Sequence, residues 1–195
     1  MEFELEVPKK IETVWQEYVP IIINGRTVDV YLTDEIKTPS TYNQLIHTLN
    51  TAYPGDTVNL VINNGGGSVD SAFMIVDAIT NSDAHVVAKL SGIVASAATM
   101  ITMYCDDIEV APFTQFMCHN YAYGASGSGN QVKEYVNFTD KELTSAVKII
   151  YAGFLTEEEM AQISLDDKEL WFGADETVER WGKKVLHTLS ATEKK

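Results

Sequence analysis

The fold of this chain is decided at residues 57–69, TVNLVINNGGGSV. Apolar and β-branched residues over 57–62 predict a strand. The glycines end this strand, and Ser68 is a plausible N-cap for a helix over 68–82. Three successive glycines let backbone N–H groups approach a bound group closely, as an oxyanion hole requires. A plain strand-to-helix turn is the alternative. A phosphate loop is disfavoured because no GxxxxGK[ST] pattern occurs.

Strand and helix patterns alternate on both sides of this stretch. Such alternation implies right-handed βαβ crossovers and therefore a layered α/β fold. We predict an N-terminal arm over residues 1–20 and a single domain over 21–195. Further strands are predicted at 28–32, 85–90, 107–110 and 115–117, and helices from 39, over 95–104, over 131–154, from 156 and over 174–181. Gly182 is expected to end the last helix at its C′ position, before a short strand over 185–189.

The composition excludes some classes of function. The chain has 195 residues, of which 28 are acidic and 14 basic, and its formal net charge is −14. This charge disfavours binding to nucleic acids and to anionic membranes. No apolar run reaches the length of a membrane span, and no signal-peptide pattern is evident. We therefore expect a cytoplasmic protein in which the only two cysteines, Cys105 and Cys118, are buried free thiols.

A candidate nucleophile lies in the segment 92–98, GIVASAA. The hydroxyl of Ser96 is a weak nucleophile until a base takes its proton. The small residues around Ser96 leave room for a substrate backbone, and the helix that starts there points free N–H groups toward the site. Taken alone, the segment is better explained as a helix start made of small residues in the core.

A candidate general base follows in the segment 117–120, MCHN. His119 ends an apolar strand, where packing on both sides can orient an imidazole. A structural histidine is the alternative at such a position. Cys118 does not form a cysteine-protease pair with His119, because adjacent strand residues point to opposite faces. No HExxH or CxxC spacing occurs, so neither a metal nor a cofactor is predicted.

Taken together and in order, these segments resemble the ClpP-type serine peptidases, and among them the shorter phage and prophage members. Residues 62–69, INNGGGSV, resemble the family's I-N-S-P-G-G-S-V. Residues 92–98 resemble its G-x-A-A-S-x-A/G turn, and 117–120 its M-I-H-Q/N. Residues 169–176, ELWFGADE, are similar to the segment that carries the catalytic acid and the helix after it. The resemblance extends over about residues 28–189.

The resemblance implies a role for each matching residue. Ser96 would be the nucleophile and His119 the general base. The backbone N–H groups of Gly67 and Ala97 would form the oxyanion hole. Glu169 would be the acid that orients the imidazole.

The chain departs from the family pattern at three places. The acid is usually Asp rather than Glu169, and Asp166 and Asp167 are nearby rivals for this role. Gly65 stands where the family usually has Pro, which should loosen the loop. The N-terminal residues do not resemble the family's axial-pore segment, which bears on docking to an AAA+ unfoldase.

The resemblance also implies an architecture and partners. The expected fold is the ClpP/crotonase type, with stacked βαβ units and a protruding handle helix at about 125–165. The expected assembly is a homo-oligomeric ring, a heptamer or double heptamer, that cleaves peptides or unfolded proteins, with an AAA+ unfoldase as a further expected partner. The alternatives are a phage head-maturation protease, a catalytically inactive structural ring subunit and, less favoured, a crotonase-type acyl-CoA enzyme, which would need no Ser–His pair.

Overall fold

A computed structural model describes residues 19–192 of the chain, and the side chains of residues 19–190. Over these residues the strands form one sheet in the order β1-β2-β3-β4-β6-β7, with β5 also paired to β4. The β1–β2 and β6–β7 pairs are antiparallel and the others are parallel. The strands are β1 Ile21–Asn24, β2 Thr27–Leu32, β3 Thr57–Asn64, β4 His85–Ala95, β5 Asp107–Val110, β6 Gln115–Cys118 and β7 Leu170–Phe172.

The helices begin where the sequence offers caps. Ser68 accepts a hydrogen bond from the N–H of Ser71 at the start of α2, and Thr156 forms a capping box with Glu159 at the start of α5. A 3₁₀ turn, Pro39–Tyr42, precedes the first α-helix. The α-helices are α1 Asn43–Asn50, α2 Val69–Thr80, α3 Ala97–Thr102, α4 Gly129–Ile150, α5 Glu157–Leu165 and α6 Ala174–Thr192.

The long strand β4 brings the predicted site segments together. Its first half pairs with β5 and its second half with β6, so that Ala95 lies opposite Met117. On its other side β4 pairs with β3, where Val94 lies opposite Asn64. The strands β3, β4 and β6 run parallel and end at the same edge of the sheet, the usual place for a site in α/β folds.

The helix α4 extends away from the core. Of its residues only Val147 and Ile150, both near the C-terminal end, are buried. A helix with so little buried surface projects from the body of a domain, as expected for the handle helix. The described residues thus confirm the predicted fold class, an α/β fold of the ClpP/crotonase type.

Two predictions about the C-terminal part of the chain are wrong. Gly182 does not end a helix, because α6 continues through it to Thr192. Residues 185–189 are therefore helical and not a strand. Glycine in a helix interior costs only about 1 kcal/mol, which packing of one helix face can offset; Thr177 and Trp181, four residues apart on α6, are both buried.

The structure also contains two strands that the sequence pattern does not predict. The short strands β1 and β7 were not predicted, because three or four residues are too few to show an alternating pattern. The predicted arm at 1–20 lies outside the described residues, except for Val19 and Pro20. Within residues 19–192, no helix is both long and apolar enough to cross a membrane.

Candidate active site

The two candidate catalytic side chains are in direct contact. The Oγ atom of Ser96 lies 2.7 Å from Nε2 of His119. Ser96 follows the last residue of β4 and His119 follows the last residue of β6, and these two strands are paired. A hydrogen bond of this length between a hydroxyl and an imidazole allows the imidazole to take the hydroxyl proton.

The backbone at Ser96 has an unusual conformation, with φ 58° and ψ −127°. For a residue with a side chain this conformation costs about 1–3 kcal/mol. Hydrogen bonds on both sides hold it: the N–H of Ser96 donates to the carbonyl of Met117 at 3.0 Å, and its carbonyl accepts from the N–H of Thr99 at 2.9 Å. The sharp strand-to-helix turn exposes Oγ in the way known from nucleophile elbows.

The glycine loop lies against this turn. A Cβ atom on Gly66, at φ +102°, would lie 2.5 Å from the Cβ of Ser96. A Cβ atom on Gly67, at φ +139°, would lie 2.3 Å from the carbonyl oxygen of Ile36. No side chain fits at either position, so close approach explains why glycine occupies both.

Two anchors hold the glycine loop in place. Ile36 donates its N–H to the carbonyl of Gly66 at 2.7 Å and accepts the N–H of Ser68 at 2.8 Å. The buried side chain of Asn64 accepts the N–H of Gly66 at 2.8 Å and donates to the carbonyl of Asp34. The loop is therefore tied to the segment that follows β2.

Two backbone N–H groups in this region have no acceptor among the residues that the structure describes. Ala97 is the first residue of α3, so its N–H has no carbonyl four residues earlier within the helix. Among residues 19–192, no group accepts a hydrogen bond from the N–H of Gly67. N–H donors without a partner near a nucleophile are what an oxyanion hole requires.

The electrostatic surroundings favour a neutral imidazole. Burial lowers the pKa of His119 below its usual 6.5, while the negative charge of Glu169 acts in the opposite direction. His119 is therefore neutral at pH 7 and able to accept a proton. This coupling also indicates that Glu169 is near enough to His119 to act on its charge.

The structure does not join an acid to the imidazole by a hydrogen bond. The carboxylate of Glu169 accepts from Nε1 of Trp171 at 3.2 Å, and that of Asp167 accepts from Nδ2 of Asn120 at 3.4 Å. Asp166 is the C-cap of α5. Over the described part of the chain no carboxylate is hydrogen-bonded to His119, so the third member of the predicted triad stays a prediction.

Neither thiol is suited to act in this site. Cys105 and Cys118 are free and buried, and burial raises the pKa of both thiols well above their usual range. A neutral buried thiol is a poor nucleophile. Within residues 19–192, no cluster of three or more His, Cys, Asp or Glu residues could hold a metal ion.

Three residues near the site were missed by sequence reasoning. Asn64 lies inside the glycine motif and has an amide that can bond two backbone groups. Thr99 stands at the third helical position after Ser96, a spacing at which a hydroxyl can reach back to the helix start. Tyr151 offers no such signal, because it reaches the site only through tertiary packing.

A comparison with protein families agrees with this geometry. The model of the Clp protease family matches residues 12–182, most of the chain. The chain belongs to the Clp protease family. Membership implies a serine peptidase and supports the ClpP-type fold described above. No curated protein matches this Clp protease chain.

Proposed function

We propose that this Clp protease is a serine endopeptidase in which Ser96 is the nucleophile and His119 the general base. One observation carries the proposal: the distance of 2.7 Å between Ser96 Oγ and His119 Nε2. The pair lies beside the glycine loop and the start of α3, where no acceptor among residues 19–192 is found for the N–H groups of Gly67 and Ala97. Family membership supports the same reading.

The reaction follows from these positions. Nε2 of His119 takes the hydroxyl proton while Oγ of Ser96 attacks the carbonyl carbon of the scissile peptide. The N–H groups of Gly67 and Ala97 stabilise the negative oxygen. The C–N bond then breaks as His119 returns the proton to the leaving amine, and water hydrolyses the acyl-enzyme by the same steps. We assign Glu169 to the stabilisation of the imidazolium.

We further propose a ring-shaped homo-oligomer, a heptamer or double heptamer, that encloses these sites in the cytoplasm. The family supports a ring, and the sparsely buried helix α4 offers a surface for contact between rings. Enclosed sites would restrict the substrates to peptides and unfolded proteins. An AAA+ unfoldase would then deliver folded substrates.

The first test is labelling with a fluorophosphonate probe, with intact mass and the native mass of the assembly as readouts. We expect one adduct on the wild type and none on Ser96→Ala. Ser126→Ala, which removes an exposed serine in the loop before α4, serves as a control and should label like the wild type.

Failure to label would be informative in two ways. A well-formed ring without an adduct would indicate a catalytically inactive structural subunit. A trimer or hexamer without an adduct would favour the crotonase-type alternative. If the probe labels the wild type, cleavage of capsid and scaffold proteins would separate a head-maturation protease from a general degradative one.

A further inference from the structure

A buried pair of hydroxyl groups lies behind the nucleophile turn. Tyr151 and Thr99 are both fully buried, and their side-chain oxygens lie 2.6 Å apart. Oγ1 of Thr99 lies 2.6 Å from the carbonyl oxygen of Ser96. These contacts form a continuous chain from Tyr151 through Thr99 to the backbone of Ser96.

Proton counting sets the direction of this chain. A carbonyl oxygen can only accept a hydrogen bond, so Thr99 donates its single hydroxyl proton to the carbonyl of Ser96. Tyr151 must therefore donate to Oγ1 of Thr99. Burial raises the pKa of Tyr151 well above its usual range, so its hydroxyl keeps the proton that this donation needs. Hydrogen bonds arranged in series strengthen one another in a low-dielectric interior.

The acceptor of this chain belongs to the same rigid unit as a proposed oxyanion donor. The carbonyl of Ser96 and the N–H of Ala97 are the two ends of one planar trans peptide group and point in opposite directions. Fixing the carbonyl therefore fixes the direction of the N–H. Helix geometry alone does not set this plane, since Ser96 has the non-helical angles φ 58° and ψ −127°.

The same buried cluster lies next to the strand that carries His119 and to the end of α4. The buried thiol of Cys118, the residue before His119, lies close enough to the hydroxyls of Tyr151 and Thr99 for both to lower its pKa against the larger effect of burial. Tyr151 itself is the C-cap of α4. The buried side chains thus join the end of α4 to the turn that carries Ser96 and the strand that carries His119.

We propose that Tyr151 and Thr99 are positioning residues that aim the N–H of Ala97 into the oxyanion hole through the carbonyl of Ser96. The inference deepens the proposed function and rests on it. Neither residue touches the substrate; both act through the Ser96–Ala97 peptide group. The end of α4 is thereby coupled to the reactivity of the site.

The test compares Tyr151→Phe with Thr99→Ser, using the kinetics of fluorophosphonate labelling. Loss of an oxyanion donor costs about 10²–10³ in rate, so a misaimed donor should lower kinact about tenfold. KI should stay within about twofold of the wild type, because ground-state binding does not use this donor. Thr99→Ser keeps the hydroxyl and should label at nearly the wild-type rate. Tyr104→Phe, a tyrosine just past the end of α3, removes a hydroxyl elsewhere and should have no effect.

A second readout separates this inference from the proposed function. The N–H groups of Thr99 and Met100 both donate to the carbonyl of Ser96, so their hydrogen exchange reports on the turn even without activity. Exchange measured by mass spectrometry should be faster in Tyr151→Phe and unchanged in Tyr104→Phe. If the wild type does not label, the proposed function fails and the role in the oxyanion hole fails with it, while exchange still shows whether Tyr151 and Thr99 hold the carbonyl of Ser96.

Two results would overturn the inference. One is a Tyr151→Phe protein with wild-type kinact and wild-type exchange at the start of α3. The other is a raised KI with unchanged kinact, which would assign the hydroxyls to binding rather than to the transition state. A Tyr151→Phe protein too unstable to assay would leave Thr99→Ser and Thr99→Val as the deciding pair, with only the second expected to lose rate.

Discussion

At Ser96 the conformation of a single residue links stability to chemistry. Its φ of 58° is costly for a side-chain-bearing residue, and the turn survives because Met117 and Thr99 hold both of its backbone polar groups. Gly66 completes the turn, since its missing side chain leaves the space that Ser96 occupies. Strain of this kind is typical of nucleophile positions, where the strained backbone turn is what presents the reactive atom to the substrate.

The contact between Gly66 and Ser96 can be tested with two adjacent glycines. In Gly66→Ala the added methyl would lie 2.5 Å from Cβ and 3.0 Å from Oγ of Ser96. We expect fluorophosphonate labelling to fall at least about tenfold and the free energy of unfolding to fall by about 1–3 kcal/mol. Gly65→Ala is the matched control, because nothing lies within 4 Å of its added methyl. Equal labelling of both variants would contradict the described loop.

The identity of the acid can be tested by pH dependence. Labelling needs neutral His119, whose pKa burial holds below 6.5, so we expect the rate to fall only as the pH drops below 6.5. The charge of Glu169 raises this pKa. Glu169→Gln should therefore move the inflection to lower pH and reduce the plateau rate at least about tenfold. Asp167→Asn should change neither the inflection pH nor the plateau rate. The reverse ranking of the two variants would assign the role of the catalytic acid to Asp167.

Among the elements, α5 and α6 are joined by one charged contact. Arg180 on α6 forms two hydrogen bonds with the carboxylate of Glu159 on α5, at 2.9 and 2.7 Å. Its guanidinium also lies 4.2 Å from the centre of the Phe172 ring. The same Glu159 closes the capping box at the start of α5. One carboxylate thus orders a helix start and a contact between two helices.

This contact predicts a pH-dependent stability. The hydrogen bond with Arg180 lowers the pKa of Glu159 from 4.5 to about 2. A lowered pKa in the folded state means that the stabilisation is complete above about pH 4.5 and is lost as the pH falls toward 2. We expect Glu159→Gln to lower the free energy of unfolding by about 2 kcal/mol at pH 7. Urea denaturation between pH 3 and 7 should show a flatter pH dependence for this variant.

The control for this prediction is an exposed ion pair on α6, the helix that carries Arg180. Glu179 and Lys183 lie 2.7 Å apart with both side chains largely in solvent. Glu179→Gln should leave the free energy of unfolding essentially unchanged, because solvent screens an exposed ion pair. If the two variants were equally stable, the contact between α5 and α6 would contribute no more than a surface ion pair.

For the whole molecule, the main question is whether copies of the chain assemble into the proposed ring. The handle helix α4 leaves Tyr135 and Phe138 largely exposed, at 50% and 65%. Exposed aromatic side chains on a projecting helix are suited to a contact between rings. The exposed hydroxyl-bearing loop before α4 and the polar face of the helix would then form the rim of this contact.

This assembly can be tested by a charge on α4. We expect Phe138→Glu to convert a double ring into single rings in native mass spectra, because a charge replaces an apolar contact at the interface. Asn137→Glu is the matched control, since it adds the same charge at the adjacent exposed position. A monomeric wild type would contradict the proposed ring. A double ring in both variants would show that Phe138 does not lie in the contact between rings.

Much of the fold was predictable because its signals are local. The strands β2 to β6, the cap at Ser68 and the capping box at Thr156 follow from spacing and residue type within a few positions. Ser96 and His119 could be chosen as candidates for the same reason. The continuation of α6 through Gly182 was not predictable, because the glycine is a good local stop signal and only burial of Thr177 and Trp181 outweighs it.

By itself, then, the sequence determined the alternation of strands and helices, the glycine turn, and the residue types able to supply a nucleophile and a base. Only the tertiary structure decided the 2.7 Å contact between Ser96 and His119, since it depends on the pairing of β4 with β6. The same holds for the buried chain from Tyr151 to Thr99, whose members are 52 residues apart. The physical reason is that hydrogen-bond spacing along a helix or strand is a local property, whereas the distance between side chains on different elements depends on how the whole core packs.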